Sequence, residues 1–146
     1  MAGLVRTRAA AVIIQEDAIL LVLHRKGESR YYLLPGGGVE QGESEGEALE
    51  RELREETGLT VSPLRLLFET HSRKPAGEGL VQRVYFCRAQ GKIRPSTDPR
   101  VAKSEYVKKQ DFAAVTFYPN IKKEILAAWD AGFGNAPFKK LTVKWE

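Results

Sequence analysis

Residues 37–59 read GGVEQGESEGEALERELREETGL. The second half of this stretch predicts a helix. Ser44 followed by Glu47 forms the Ser-x-x-Glu capping box of a helix start. Ala48, Leu49 and Leu53 give an apolar stripe, and Gly58 stands where a helix stops on a left-handed residue. At 100° per residue, Glu52, Glu55 and Glu56 fall within roughly 100° of one another, flanking the stripe. Like charges at these spacings cost about 0.2–0.5 kcal/mol per pair. Carboxylates in a last helical turn also face the negative end of the dipole, at about 0.3–1 kcal/mol each. Arg51 and Arg54 point elsewhere and compensate only in part. A helix that needed only solubility would carry these acids in its first turn. A divalent cation would remove the repulsion, and hard oxygen donors without a His or Cys cluster suit Mg²⁺ or Mn²⁺ better than Zn²⁺. A solvated charged face is the plain alternative, and the helix alone does not choose between the two.

The same helix dominates the charge pattern of the chain. The 146 residues carry a net charge of +4, yet Glu40 to Glu56 alone hold −6 and the remainder +10. A basic surface suggests anionic partners. The length predicts one domain, residues 1–146, with a core of its own. Hydrophobic residues at 42% and charged residues at 29% are globular usage, against disorder, collagen and coiled coil. No apolar run approaches the ~20 residues of a membrane span. The first ten residues are too polar for a secretory signal. The single Cys87 excludes an internal disulfide framework. A cytoplasmic protein with no membrane role is the expectation.

Outward from the helix, short runs rich in Val, Ile and Leu predict strands at Arg6 to Ile14, Ala18 to Leu23, Tyr31 to Leu34, Val61 to Thr70 and Leu80 to Arg88. Gln15-Glu16-Asp17 reads as a turn, and Pro35-Gly36-Gly37-Gly38 as a loop whose backbone approaches something closely. Arg94 to Asp98 reads as loop. Asn120 is placed to cap a last helix over Ile121 to Ala131, ended by Gly132, and Leu141 to Trp145 can form an edge strand. Strands, helix, strands, helix is the order of an α/β or α+β layered domain.

The segment Gly37-x5-Glu43-x7-Arg51-Glu52-Leu53-x-Glu55-Glu56-x-Gly58-Leu59 resembles the Nudix box at every defined position. Tyr32-Leu33-Leu34-Pro35-Gly36-Gly37-Gly38-Val39-Glu40 resembles the lead-in of that family, with Tyr32 where Trp is often found. The resemblance implies a Nudix fold, a mixed β-sheet sandwiched between α-helices. It also implies Mg²⁺- or Mn²⁺-dependent hydrolysis of a nucleoside diphosphate linked to another moiety. Carried over residue by residue, Glu52, Glu55 and Glu56 are implied metal ligands, joined by the Gly37 carbonyl. Arg51 is implied to orient a glutamate, with Glu43 as its partner. Gly36 and Gly38 bring backbone near metal and phosphate. Metal ions neutralise a diphosphate and activate water, and a glutamate accepts the proton. Glu105 and Glu78 are the candidates for that acceptor outside the box.

Arg25, Lys26 and Arg30 stand near the glycines in sequence and are candidate phosphate donors, with Arg25 the first choice; solvated loop charge is the competing reading. His24 and His71 end strands and read as structural. Cys87 reads as a buried thiol. Tyr31, Tyr32, Phe117 and Tyr118 read as core before base-stacking groups. Pro75, sixteen residues after Leu59, resembles a feature of ADP-ribose-directed members, and any surface turn would contain it too. The expected partner is a small nucleotide diphosphate. An RNA 5′-end pyrophosphohydrolase ranks below it, because the basic residues are scattered. A non-catalytic binding domain ranks last, because every box glutamate is present. Many members of the resembling family dimerise, but no segment here announces an interface.

Overall fold

Ala9 to Ile13 is buried at every position, and the alternation of a strand sends neighbouring residues to opposite faces. Ala9, Ala11 and Ile13 join one apolar cluster and Ala10 and Val12 another. The strand they belong to is therefore covered on both sides. The computed structural model describes residues 5–73 and 77–144.

That strand, β1 (Val5–Val12), is an interior strand of a five-stranded mixed sheet. It pairs in parallel with β7 (Gly79–Gln90) and antiparallel with β5 (Gly36–Gly38). Beyond β7 lie β6 (Thr60–Arg73), antiparallel, and β9 (Lys139–Thr142), parallel to β6. A second sheet is built on β3 (Ala18–Lys26), which pairs with β2 (Ile14–Gln15), β4 (Ser29–Leu33) and β8 (Val101–Lys108), all antiparallel. Glu16, at φ 57°, makes the expected turn between β2 and β3.

The helix α1 (Glu45–Thr57) lays Leu49 and Leu53 on Ala9, Ala11, Leu20 and Val61. Each of these leucines is fully buried, which contributes about 1.5–3 kcal/mol. The capping box forms as the sequence predicts: Glu47 N–H donates to Ser44 Oγ at 3.1 Å, and Ser44 N–H donates to Glu47 Oε1 at 2.9 Å. Gly58 closes the helix at φ 78°. On the other face, Ile125 and Ala128 of α3 (Lys122–Asp130) pack with Phe112 of the short α2 (Lys109–Phe112), Phe117 and Ile121 against Val12, Leu21, Phe68 and Val84.

Three local expectations change. Gly36 to Gly38 is not a loop but the edge strand β5, held by ladder bonds to Arg8, Ala9 and Ala10. Asn120 does not cap α3: Ile121 occupies that position with no side-chain bond, buried in the core, so apolar packing sets the helix start. The tail strand starts two residues earlier than expected, at Lys139–Thr142, and Trp145 lies outside the described residues, as does Pro75. No helix among the described residues is long and apolar enough to cross a membrane.

Candidate active site

The last turns of α1 meet β5, and the glycines are what permit the contact. A Cβ on Gly37 would lie 2.3 Å from Glu52 Cδ and 2.5 Å from its Oε1. The Glu52 carboxylate thus rests on bare backbone. Gly36 is tighter still. Its φ is 150°, and a Cβ there would stand 2.1 Å from the Ala9 carbonyl oxygen. With β1 and β5 this close, Gly36 N–H donates to Glu56 Oε1 at 2.8 Å. Around Gly38 a Cβ would meet nothing within 4 Å, so that residue is not held to glycine by space.

Glu56 is 8% exposed. Burial pushes its carboxyl up to about 8, the Gly36 N–H works against that, and the nearby Glu52 adds to it. At neutral pH without a cation this carboxyl holds its proton.

Arg51 organises the outer side. Its Nε and one terminal nitrogen form a fork on Glu43, at 2.8 and 3.0 Å. The other terminal nitrogen donates to Glu52 Oε1 at 2.8 Å, and the fork nitrogen also reaches the Gly38 carbonyl at 2.9 Å. The Arg51 hydrogen bonds carry Glu43 down to about 2, so the pair stays ionic far into acid. Glu55 is half-exposed, 3.7 Å from Arg51. Among the described residues no three acidic, His or Cys side chains converge as they stand on a point that would hold a metal. The donor set nevertheless suits a hard divalent cation. It consists of oxygens, the Glu52 charge helps keep Glu56 protonated until a cation is bound, and Glu52 lies in a cradle that any Cβ would fill.

The other candidates from the sequence fall in different places. Glu105 lies on β8, with Tyr32 Oη donating to it at 2.8 Å and Lys103 Nζ at 2.9 Å. Burial alone would raise its carboxyl, but these two donors and the Lys103 charge carry it below the usual range. Its neighbour Ser104 bonds the helix, donating to the Glu56 carbonyl at 3.2 Å. Glu78 pairs with Arg6 at 2.6 Å beside the start of β7. Arg25 is exposed near the β3–β4 turn, opposite Arg30, and its backbone N–H bonds the Arg100 carbonyl at 3.0 Å.

Two arginines outside the motif, Arg8 and Arg100, feel the charges of Glu56 and Glu52. The available signal was an arginine set directly before an all-buried run, at Arg8. Arg100 is carried on an exposed loop by Asp98. His24 packs on Tyr31 with the rings tilted at 42°, and burial lowers its imidazole. His71 bonds Glu69 at 2.7 Å. Cys87 is buried, which pushes its thiol up to about 12. Phe117 is core, and Tyr31 packs on Tyr118.

Comparison with known proteins bears on this geometry. The sequence profile described as NUDIX domain matches residues 5–129. Human (Homo sapiens) 8-oxo-dGDP phosphatase NUDT18 is 35% identical over 96 residues, 65% of this chain and 28% of that protein. The ADP-ribose pyrophosphatase of Methanocaldococcus jannaschii is 41% identical over 69 residues, 44% of this chain and 41% of that one. The matches thus span less than half the length of these two relatives. A solved NUDIX hydrolase from Nitrosomonas europaea superposes with a TM-score of 0.78 at 23% identity, covering 90% of this chain and 92% of that one.

Proposed function

The chain belongs to the Nudix family, and from that premise we propose that it is a divalent-cation-dependent pyrophosphohydrolase of nucleoside diphosphate derivatives. The observation that carries this reading is the Glu56 carboxyl, buried and bonded to Gly36 N–H, beside a Glu52 carboxylate seated on Gly37. A protein gains nothing in stability from two such carboxyls side by side unless a cation joins them.

Glu52, Glu55 and Glu56, with the Gly37 carbonyl, would hold Mg²⁺ or Mn²⁺. A cation bound there supplies charge neutralisation and Lewis acidity toward phosphate oxygens. Arg51 holds Glu52 in place through its fork on Glu43. In the reaction, water oxygen bonds to one phosphorus and the bridging P–O bond breaks. The bridging oxygen leaves with the electron pair, and a carboxylate accepts the water proton. Glu52, Glu55 and Glu56 stand nearest to that task. Glu105, one β8 residue beyond the Ser104 that touches α1, is the alternative acceptor.

The relatives' names suggest two substrate classes, an oxidised nucleoside diphosphate and ADP-ribose. The test is a panel of dNTPs, 8-oxo-dGDP, ADP-ribose, dinucleoside polyphosphates and triphosphorylated RNA, with Mg²⁺ and with Mn²⁺. Release of a nucleoside monophosphate is expected, falling at least about a hundredfold in Glu55→Gln and Glu56→Gln. Full activity in both variants removes the site assignment. No hydrolysis across the panel removes the function. A drop in kcat in Glu105→Gln with unchanged KM would move proton acceptance to Glu105.

A further inference from the structure

We propose that Ser104 is a positioning residue for Glu56, a role that rests on the hydrolase reading above. The last carbonyls of a helix have no N–H partner inside it, so groups outside must take them. At the end of α1, Gly58 N–H takes the Leu53 and Arg54 carbonyls, at 3.1 and 3.0 Å. Two later carbonyls go to residues distant in sequence. Arg94 N–H donates to the Thr57 carbonyl at 2.8 Å, and Ser104 Oγ donates to the Glu56 carbonyl at 3.2 Å. Arg94 also packs its stem over Gly58, where a Cβ would stand 2.9 Å from the Arg94 Cβ.

Glu56 is therefore held at both ends. Its side chain accepts from Gly36 N–H on β5, and its main chain accepts from the Ser104 hydroxyl on β8. β5 belongs to the five-stranded sheet and β8 to the second sheet. One residue thus takes a bond from each sheet, and the spacing of the sheets sets where its carboxyl stands. Strand alternation brings Ser104 to this place. Tyr106, two residues on and so on the same side of β8, packs in the cluster of Leu49 and Leu53. Serine is short enough there to let α1 close on the strand. Alanine would be as short without the donor, so the hydroxyl is the part that acts on Glu56. A cation site needs its ligands held to within about 0.5 Å. Glu55 is half-exposed and can adjust by rotation, whereas Glu56 is buried and moves with its backbone.

The test compares Ser104→Ala, Ser104→Thr and Ser44→Ala with wild type in two measurements. The first is the amide resonance of Gly36 in metal-free protein, which reports the bond to the Glu56 carboxyl. The second is Mn²⁺ affinity, read from the electron paramagnetic resonance of the free ion. Ser104→Ala should shift the Gly36 amide and weaken Mn²⁺ binding about five- to tenfold. Ser104→Thr keeps the hydroxyl and should restore both. Ser44→Ala loses one side-chain bond at the other end of the same helix and should match wild type in both, which separates position from helix stability. Should Ser104→Ala fail to fold, Ser104→Cys, with a weaker donor, replaces it. A Gly36 amide or a Mn²⁺ affinity unchanged in Ser104→Ala overturns the proposal, and so does an equal loss in Ser44→Ala. Wild type that binds no Mn²⁺ defeats the hydrolase reading instead, and the Gly36 amide then decides by itself whether Ser104 places Glu56.

Discussion

Gly36 and Gly37 are adjacent in sequence and fail differently when given a side chain. At Gly37 the added methyl meets the end of a side chain, which can swing away; at Gly36 it meets the backbone of Ala9. Gly37→Ala should therefore fold near wild type and weaken Mg²⁺ or Mn²⁺ binding about tenfold by displacing Glu52. Gly36→Ala should lose at least about 1–3 kcal/mol of stability. Urea unfolding beside metal titration separates the two, and the reverse pattern would contradict the packing. Glu56 makes a second prediction at this scale. Its folded carboxyl titrates near 8, against about 4.5 when exposed. Below 4.5 both states are protonated and Glu56 has no effect. Between about 4.5 and 8 the unfolded chain releases the proton and the folded chain keeps it, so stability falls as pH rises. In EDTA, Glu56→Gln should therefore gain on wild type from pH 5 to pH 8, read by chemical unfolding. A constant difference across that range would mean Glu56 is not buried as described. The motif glycines and carboxylates were readable from spacing. That one glycine guards the fold and the other the site was not, because the atoms they meet belong to Ala9 and Glu52.

At the scale of elements, α1 is the one whose local signals all agree. Its cap, stripe and stop lie within fifteen residues and need no partner to be recognised. Ser44→Ala should cost about 0.5–2 kcal/mol by freeing the Glu47 N–H, with kcat unchanged, because the cap sits at the opposite end from Glu56. A comparable fall in kcat would show that the helix moves as a rigid lever on the site. The N-terminal turn is also tied to the sheet by Glu45, which accepts from Arg83 at 2.7 Å and from Tyr85. β5 and the start of α3 depart from the sequence expectation for the same reason, while the span of α3 agrees with it. Three glycines have no strand propensity, and they pair only because β1 offers a free edge. Asn120 is a good capping residue, but Ile121 is wanted in the core, and burial outweighs one side-chain hydrogen bond.

Across the whole molecule, an acidic helix end sits in an otherwise basic chain. If a cation joins the carboxylates, the folded state alone binds it, and a hundredfold excess over Kd adds about 2.7 kcal/mol. Mg²⁺ or Mn²⁺ should raise Tm by several degrees, EDTA should reverse it, and Glu56→Gln should show a smaller rise. An unchanged wild-type Tm at saturating metal would argue against a metal site. The sequence by itself determined α1, its acidic face and the family pattern, because these depend on spacings of three, four and seven residues within one element. It also determined that the apolar run of Ala9 to Ile13 lies in a strand; that both faces of that strand are covered came from the structure. Only the tertiary structure decided that β5 carries the Glu56 and Glu52 cradles and that Ser104 of β8 bonds the end of α1. These are matters of strand register and of which face an alternating strand presents. A single step of register moves a side chain to the other side of the sheet, and only the packed neighbours, distant in sequence, choose the step.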